Sequence, residues 1–155
     1  MASLKEGSKA PEIVLLNDAG EKFKLSALKG KNVVVYFYPK ADTPGCTKEA
    51  CSFRDELPRI DKSDTVVVGI SPDPVKAVAK FKEKYKLNFP LLADEEHKVA
   101  EKYGVWAEKE NYGRKYMGVV RTTFIVDKDG RIVRIFPKVK VDGHTEEVLS
   151  ALAGL

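Results

Sequence analysis

The sequence holds two cysteines, Cys46 and Cys51, with four residues between them. A cysteine thiolate can attack an electrophile, bind a metal or form a disulfide, so this pair is the first candidate for chemistry. A zinc site would need further ligands at close spacing. The two histidines, His97 and His144, lie far apart in the sequence. The spacing therefore favours thiol chemistry and predicts no metal.

Length and composition restrict the class of protein that carries this pair. The chain has 155 residues, a net charge of +4 and 43% hydrophobic residues, which is typical of one globular domain spanning 1–155. The mild, scattered charge does not indicate a nucleic-acid partner. The longest uncharged apolar run, Val33 to Tyr38, is far too short to cross a membrane. The first residues carry no apolar signal-peptide region, which predicts a cytoplasmic location.

The cysteines follow a stretch with the pattern of a buried strand and then of a helix. Val33 to Tyr38 is β-branched and aromatic throughout, as in a strand covered on both faces. Thr43 and Pro44 suit the N-cap and the first residue of a helix. We expect this helix to end near Leu57 or a little beyond it, because Pro58 cannot supply a helical N–H.

The rest of the chain alternates strands and helices. We expect parallel strands at the centre of the sheet, since two strand–helix–strand crossovers occur, and antiparallel strands towards the end. This order predicts an α/β, thioredoxin-like fold with a mixed central sheet, flanking helices and an N-terminal β-hairpin. The predicted elements are a hairpin of Ile13 to Leu16 and Lys22 to Leu25, strand Thr65 to Ile70, a helix from about Val75, a short edge strand Phe89 to Ala93, helix Glu95 to Tyr103, a hairpin of Val119 to Val126 and Ile132 to Phe136, and helix Glu146 to Leu152.

Cys46 is placed by this pattern in the first turn of the helix that follows the central strand. The partial positive charge and unpaired N–H groups of a helix N-terminus favour a thiolate. Gly45 allows a ligand to approach the backbone closely. The alternative is that Cys46 is a small apolar core residue. The polar segment from Lys40 to Gly45 favours the reactive interpretation, since inert cysteines lie on core faces.

Cys51 lies too far along the same helix to bond with Cys46. On ideal geometry the two Cα atoms are about 8.6 Å apart. A disulfide needs a Cα separation within about 7 Å. If the two cysteines react together, at least one helical turn must unwind. The alternative for Cys51 is simple packing in the core.

The residues around the cysteines resemble a known family. The segment PKADTPGCTKEACSFRD, from Pro39 to Asp55, resembles the peroxiredoxins through its P-x-x-x-T-x-x-C pattern. The second cysteine five residues later is similar to the peroxiredoxin Q, or bacterioferritin comigratory protein, subfamily. Further similarity lies in KVAEKYGVW, in RTTFIVDKDG and at the front of the chain.

The resemblance implies a thiol-dependent peroxidase that reduces hydrogen peroxide and alkyl hydroperoxides with no metal or flavin. Cys46 would be the peroxidatic nucleophile and become a sulfenic acid. Cys51 would resolve it as an intramolecular Cys46–Cys51 disulfide. Thioredoxin or a similar dithiol protein would reduce that bond, and the subfamily suggests a monomer.

The resemblance also implies roles for the neighbours of Cys46. Thr43 would orient the peroxide, Pro39 would shield the site, and Arg121 would reach the thiolate and hold the peroxide. The amides of Gly45 and Cys46 would complete the substrate-binding site. Without the resemblance, Arg121 would be interpreted as a solvated charge at a strand edge.

Other residues near the pattern have simpler interpretations. Glu49 could orient the groups around the site, but a solvent-facing acid of the first helical turns is the simpler interpretation. Phe37, Tyr38 and Trp106 are expected to be core or pocket walls. Two other functions stay open, a thioredoxin-type disulfide reductase and a non-catalytic module with packed cysteines. The reductase typically has only two residues between its cysteines.

Overall fold

The computed structural model describes residues 4–155, which form a mixed seven-stranded sheet with helices on both faces. The strands lie in the order β2-β1-β5-β4-β3-β8-β9, and β6 and β7 form a separate hairpin. The elements are β1 (Val14–Asn17), β2 (Lys22–Lys24), a 3-10 helix (Leu25–Leu28), β3 (Asn32–Phe37), α1 (Pro44–Asp61), β4 (Thr65–Ser71), α2 (Val75–Tyr85), β5 (Leu91–Ala93), α3 (Lys98–Lys102), β6 (Trp106–Asn111), β7 (Arg114–Val119), β8 (Thr122–Val126), β9 (Ile132–Phe136) and α4 (His144–Ala153).

The predicted thioredoxin-like arrangement is confirmed at the centre of this sheet. β3 pairs in parallel with β4 and antiparallel with β8, and all six of its residues are buried. Alternate residues of β3 therefore enter two apolar clusters, one on each face. Val34 and Tyr36 pack with α1, α2 and α4, whereas Val33, Val35 and Phe37 pack with α3. The N-terminal hairpin is also present, with Leu15 opposite Phe23.

Helix α1 does not stop at Leu57 but continues through Pro58 to Asp61. Proline removes one backbone N–H and leaves the carbonyl four residues earlier without its helical donor. That carbonyl belongs to Arg54, and the side-chain Nδ2 of Asn88 donates to it at 3.2 Å. The replacement hydrogen bond lets the helix continue through Pro58 to Asp61.

The predicted edge strand near Phe89 is wrong in its position. β5 lies inside the sheet, in parallel with β4 on one side and antiparallel to β1 on the other. The N-terminal hairpin covers it through the pairing of Leu16 with Ala93. The short helix after it is also shorter than predicted and begins at Lys98, since His97 adopts a positive φ of 51°.

The hairpin of β6 and β7 has no counterpart among the predicted elements. Most of its residues are exposed and five of the twelve are charged, so they lack the apolar alternation that marks a strand. The turn at Tyr112 and Gly113 has two positive φ angles, of 53° and 77°, as in a type I′ turn. The predicted strand from Val119 to Val126 is consequently divided. Val119 ends β7, and β8 begins at Thr122.

Candidate active site

The site is built where β3 ends and α1 begins. Pro44 is the first residue of α1, and Cys46 lies in its first turn, as predicted. The side chain of Cys46 is buried, with a residue exposure of 1%, and it belongs to the apolar cluster beneath α1. The expectation that its polar neighbours keep it away from the core is therefore wrong. Burial excludes bulk water from Sγ and strengthens the electrostatic interactions that reach it.

Arg121 reaches this buried thiol from the position just before β8, the strand that pairs with β3. Its Nη2 donates to Cys46 Sγ at 3.3 Å, and its Nη1 donates to a carboxylate oxygen of Glu49 at 2.6 Å. The side chain is only 18% exposed, so the interpretation as a solvated strand-edge charge is wrong. Burial lowers the pKa of Arg121, but Glu49 and Cys46 together outweigh it and raise that pKa above its ordinary value. The guanidinium is thus a fixed cation that holds the thiol and the carboxylate together.

Glu49 is a functional candidate for which the simpler, solvent-facing interpretation is wrong. It is 2% exposed instead of solvent-facing, and burial raises its pKa to about 7 despite the nearby Arg121 cation. Its second oxygen, Oε2, is buried with no hydrogen-bond partner among the described residues. The available signal was spacing, because a residue three positions after Cys46 lies on the same face of a helix.

Gly45 leaves the space that the guanidinium occupies. A Cβ atom built at this position would lie 3.3 Å from Nη2 of Arg121, with no other close neighbour. That distance is tighter than an ordinary contact. The glycine therefore has a packing role at the site, in addition to its predicted backbone role.

Thr43 and Pro39 line the approach to the first turn of α1. Thr43 occupies the N-cap position, but its side chain does not cap the helix. Instead, its hydroxyl donates to the carbonyl oxygen of Lys40 at 2.8 Å, which leaves the oxygen's lone pairs available as acceptors. Pro39 is half-buried between the end of β3 and α1. No hydrogen bond joins Thr43 to Cys46 within the part of the chain that the structure describes.

Cys51 lies on α1 beyond the first turn, half-buried and free. Cys46 is also a free thiol, and α1 is continuous between the two residues. The separation of about 8.6 Å expected for ideal helical geometry therefore applies to this state. The structure corresponds to the reduced form.

The aromatic residues named above divide between the two faces of the sheet. Tyr38 lies in the same apolar cluster as Cys46 and is fully buried, and burial raises the pKa of its hydroxyl well above the usual range. Phe37 and Trp106 belong to the cluster on the opposite face. Tyr38 is thus a wall of the thiol site, whereas Phe37 and Trp106 are core residues remote from it.

Residues 4–155 lack two other features, a cluster of metal ligands and a membrane-spanning helix. No three His, Cys, Asp or Glu side chains lie close enough together there to hold a metal ion. No described helix is both long and apolar enough to cross a bilayer.

Sequence comparisons place these residues in a known family. The profile of the AhpC/TSA family matches residues 7–135. The chain is 53% identical over 150 residues to a putative peroxiredoxin bcp of Coxiella burnetii, which covers 97% of this chain and 99% of the relative. It is 50% identical to peroxiredoxin Bcp of Bacillus subtilis, over 97% of this chain and 96% of the relative.

Solved structures similar to this chain are also peroxiredoxins. A peroxiredoxin Q from Xanthomonas campestris superposes with a TM-score of 0.87 at 38% identity, covering 92% of this chain and 90% of that one. A cysteine-to-serine variant of Xylella fastidiosa PrxQ gives a TM-score of 0.93 at 32% identity, covering 99% and 98%. The chain therefore belongs to the AhpC/TSA family, as a peroxiredoxin of the Bcp, or peroxiredoxin Q, type.

Proposed function

We propose that Cys46 is the peroxidatic nucleophile of a thiol-dependent peroxidase that reduces hydrogen peroxide and alkyl hydroperoxides. The observation that carries the proposal is the 3.3 Å contact between Arg121 Nη2 and Sγ of Cys46, a buried side chain in the first turn of α1. A fixed cation at this distance favours the thiolate, which is the reactive form of cysteine. A structure of Xanthomonas campestris bacterioferritin comigratory protein is described in terms of alkyl peroxide reduction, which supports the substrate class.

The chemistry needs no electron source besides the thiol in its first step. The Cys46 thiolate attacks one peroxide oxygen, an S–O bond forms and the O–O bond breaks. The sulfur is oxidised by two electrons to a sulfenic acid, and the leaving oxygen takes a proton to become water or an alcohol. Negative charge develops on that oxygen, so fixed N–H donors lower the barrier.

N–H donors come from the Arg121 guanidinium and from the first turn of α1. Arg121 supplies guanidinium N–H groups from the segment before β8. The amides of Gly45 and Cys46 lie in the first turn of α1, where N–H groups lack a helical acceptor. The Thr43 oxygen accepts the hydrogen of the peroxide and orients it, and Pro39 excludes water from the mouth of the site.

We further propose that Cys51 resolves the sulfenic acid. Its thiolate attacks the Cys46 sulfur, a disulfide forms, and the sulfenic oxygen leaves as water. Thioredoxin or a similar dithiol protein then reduces the disulfide and returns both thiols. This cycle requires a reducing compartment such as the cytoplasm, which we propose as the location. A single peroxidase domain over 1–155 and a monomeric state stay predictions.

The test is stopped-flow peroxide consumption by the wild type and by two serine variants. Cys46→Ser is expected to lose turnover entirely. Cys51→Ser is expected to consume about one equivalent of peroxide and then stop with thioredoxin as reductant, since its sulfenic acid has no internal partner. Wild-type turnover by Cys46→Ser would overturn the assignment of the nucleophile. Full multiple turnover by Cys51→Ser would overturn the resolving role alone.

A further inference from the structure

A cavity lies at the end of the sheet opposite the thiol. It has a volume of about 350 Å³ and is bounded by the segment before β1, the 3-10 helix and the ends of β3 and β8. Val33, near the start of β3, lines it, whereas Cys46 follows the other end of that strand. Four residues of strand from Val33 to Phe37 span about 13 Å. The cavity is thus separate from the candidate active site.

The floor of the cavity is apolar. Leu25 and Leu28 contribute from the 3-10 helix, and Val33 and Val126 contribute from the two strands. Leu25, Val33 and Val126 are buried members of the core cluster on this face. A volume of this size lies at the lower end of the range for small-molecule pockets, roughly 300–1,000 Å³. The floor therefore suits a short alkyl chain.

The mouth of the cavity carries three lysines, Lys9, Lys29 and Lys31. All three are exposed, and none forms an ion pair with a described acidic side chain. Unpaired ammonium groups around an apolar floor favour an anion with an apolar tail over a neutral or cationic ligand.

The two acids of the lining are already engaged with backbone N–H groups. Oε1 of Glu12 accepts hydrogen bonds from the amides of Ile13 at 2.9 Å and Ser26 at 3.0 Å. Oδ1 of Asp127 accepts from the amides of Asp129 and Arg131 in the turn after β8. These carboxylates hold the loops around the cavity through backbone amides, and neither forms an ion pair with Lys9, Lys29 or Lys31.

We propose that this cavity binds a small amphipathic carboxylate, with its alkyl chain on the apolar floor and its head group among Lys9, Lys29 and Lys31. At roughly 30 Å³ for each water-sized group, the cavity holds about a dozen non-hydrogen atoms. A saturated carboxylate of about ten carbons fills that space. The site is independent of the proposed peroxidase chemistry, since its residues are far from Cys46.

The experiment is an amide NMR titration of the full chain with decanoate, kept below the concentration at which it forms micelles. We expect saturable shifts at Leu25 to Leu28 and at Val126 to Gly130, with none at Thr43 to Cys46. Decyltrimethylammonium has the same chain with the opposite charge, and we expect no saturable binding from it. Equal binding of the two ligands, shifts that never saturate, or shifts centred on Thr43 to Cys46 would overturn the proposal.

Variants test the two halves of the site separately. Reversing two charges, in Lys29→Glu with Lys31→Glu, is expected to weaken decanoate binding by roughly tenfold or more. Leu28→Trp is expected to fill the floor and remove binding without changing any charge. Lys80→Glu, at an exposed position on α2, is the matched control and is expected to bind like the wild type. Peroxide consumption is expected to stay at the wild-type rate in all of them. Unchanged affinity in both the charge-reversal and the Leu28 variants would show that the cavity is not the binding site.

Discussion

Nη2 of Arg121 lies 3.3 Å from Sγ of Cys46, although 75 positions separate the two residues in the sequence. The register of the sheet produces this contact. Thr122, the first residue of β8, pairs with Phe37, the last residue of β3. Arg121 therefore lies beside the end of β3 from which the chain turns into α1. The antiparallel pairing of β3 with β8 thus positions a cation beside the thiol at the N-terminus of α1.

Removing this cation is expected to slow the reaction with peroxide. Arg121→Ala takes away a charge-assisted hydrogen bond worth about 1.5–3 kcal/mol, which corresponds to a loss of roughly ten- to a hundredfold in rate. Iodoacetamide alkylation of Cys46 is also expected to require higher pH, because the thiolate loses its neighbouring cation. The measurement is the second-order rate with peroxide together with the pH dependence of alkylation. An alkylation profile that does not move would contradict the electrostatic role.

Gly45→Ala is expected to separate activity from stability. Its Cβ atom would lie 3.3 Å from Nη2 of Arg121, so the guanidinium must shift away from Sγ. Alanine also favours a helical position by roughly 0.5–1 kcal/mol over glycine. We therefore expect peroxidase activity to fall severalfold while the free energy of unfolding is unchanged or higher. Gly154→Ala, at the C-cap of α4, is the control and is expected to keep full activity. Loss of stability in Gly45→Ala would indicate a different cause.

The sequence predicts the parts of the site that depend on local pattern. Thr43, Pro44 and Cys46 mark the start of α1, and the apolar run before them marks the central strand. Burial of Glu49 depends instead on Arg121, which arrives through strand pairing that no local pattern contains. The hairpin of β6 and β7 is unpredictable for a similar reason, because its exposed residues carry no apolar alternation.

Glu49 is expected to make folding stability depend on pH between about 4.5 and 7. Burial raises its pKa from 4.5 to about 7 in the folded chain. Between these values the folded state keeps a proton that the unfolded chain has released. Rising pH therefore destabilises the folded state across this window, and the contribution present below pH 4.5 is lost by about pH 7.

Glu49→Gln tests this contribution, because glutamine is close in size and does not titrate. Urea unfolding at intervals from pH 4 to 8 gives the free energy of unfolding for each protein. As pH rises through the window, the free energy of unfolding of the wild type is expected to fall relative to that of the variant. Glu83→Gln, at an exposed position on α2 with no ion pair among the described residues, is the control. A difference that is constant with pH would show that folding does not raise the pKa of Glu49.

The last prediction concerns how far α1 must open when Cys46 and Cys51 join. The intact helix holds their Cα atoms about 8.6 Å apart, beyond the limit of about 7 Å for a disulfide. Just after Cys51, the hydroxyl of Ser52 forms a hydrogen bond with the hydroxyl of Thr145 on α4. Phe53 follows and is fully buried. These contacts hold α1 from Ser52 onwards, so unwinding is expected to stop at Cys51.

Hydrogen exchange of the reduced and disulfide forms measures this boundary. We expect the amides from Thr47 to Asp55 to lose protection in the disulfide form, because their helical acceptors are the carbonyls of Thr43 to Cys51. The amides from Glu56 to Ile60, apart from Pro58, are expected to keep it. Identical protection of 47–51 in both forms, with the disulfide confirmed by mass, would contradict the unwinding.

The Ser52–Thr145 contact can be tested with a pair of alanine variants. Ser52→Ala and Thr145→Ala are each expected to extend fast exchange past Asp55 in the disulfide form, and the double variant is expected to add nothing further. Arg59→Ala is the control, since it removes an exposed ion pair between α1 and Glu146 of α4 that contributes little. If all three single variants shift the boundary equally, general weakening of the α1–α4 contact explains the effect. If only the first two do so, the buried hydroxyl pair determines where the helix stops opening, and therefore which residues the reductant meets when the disulfide is exposed.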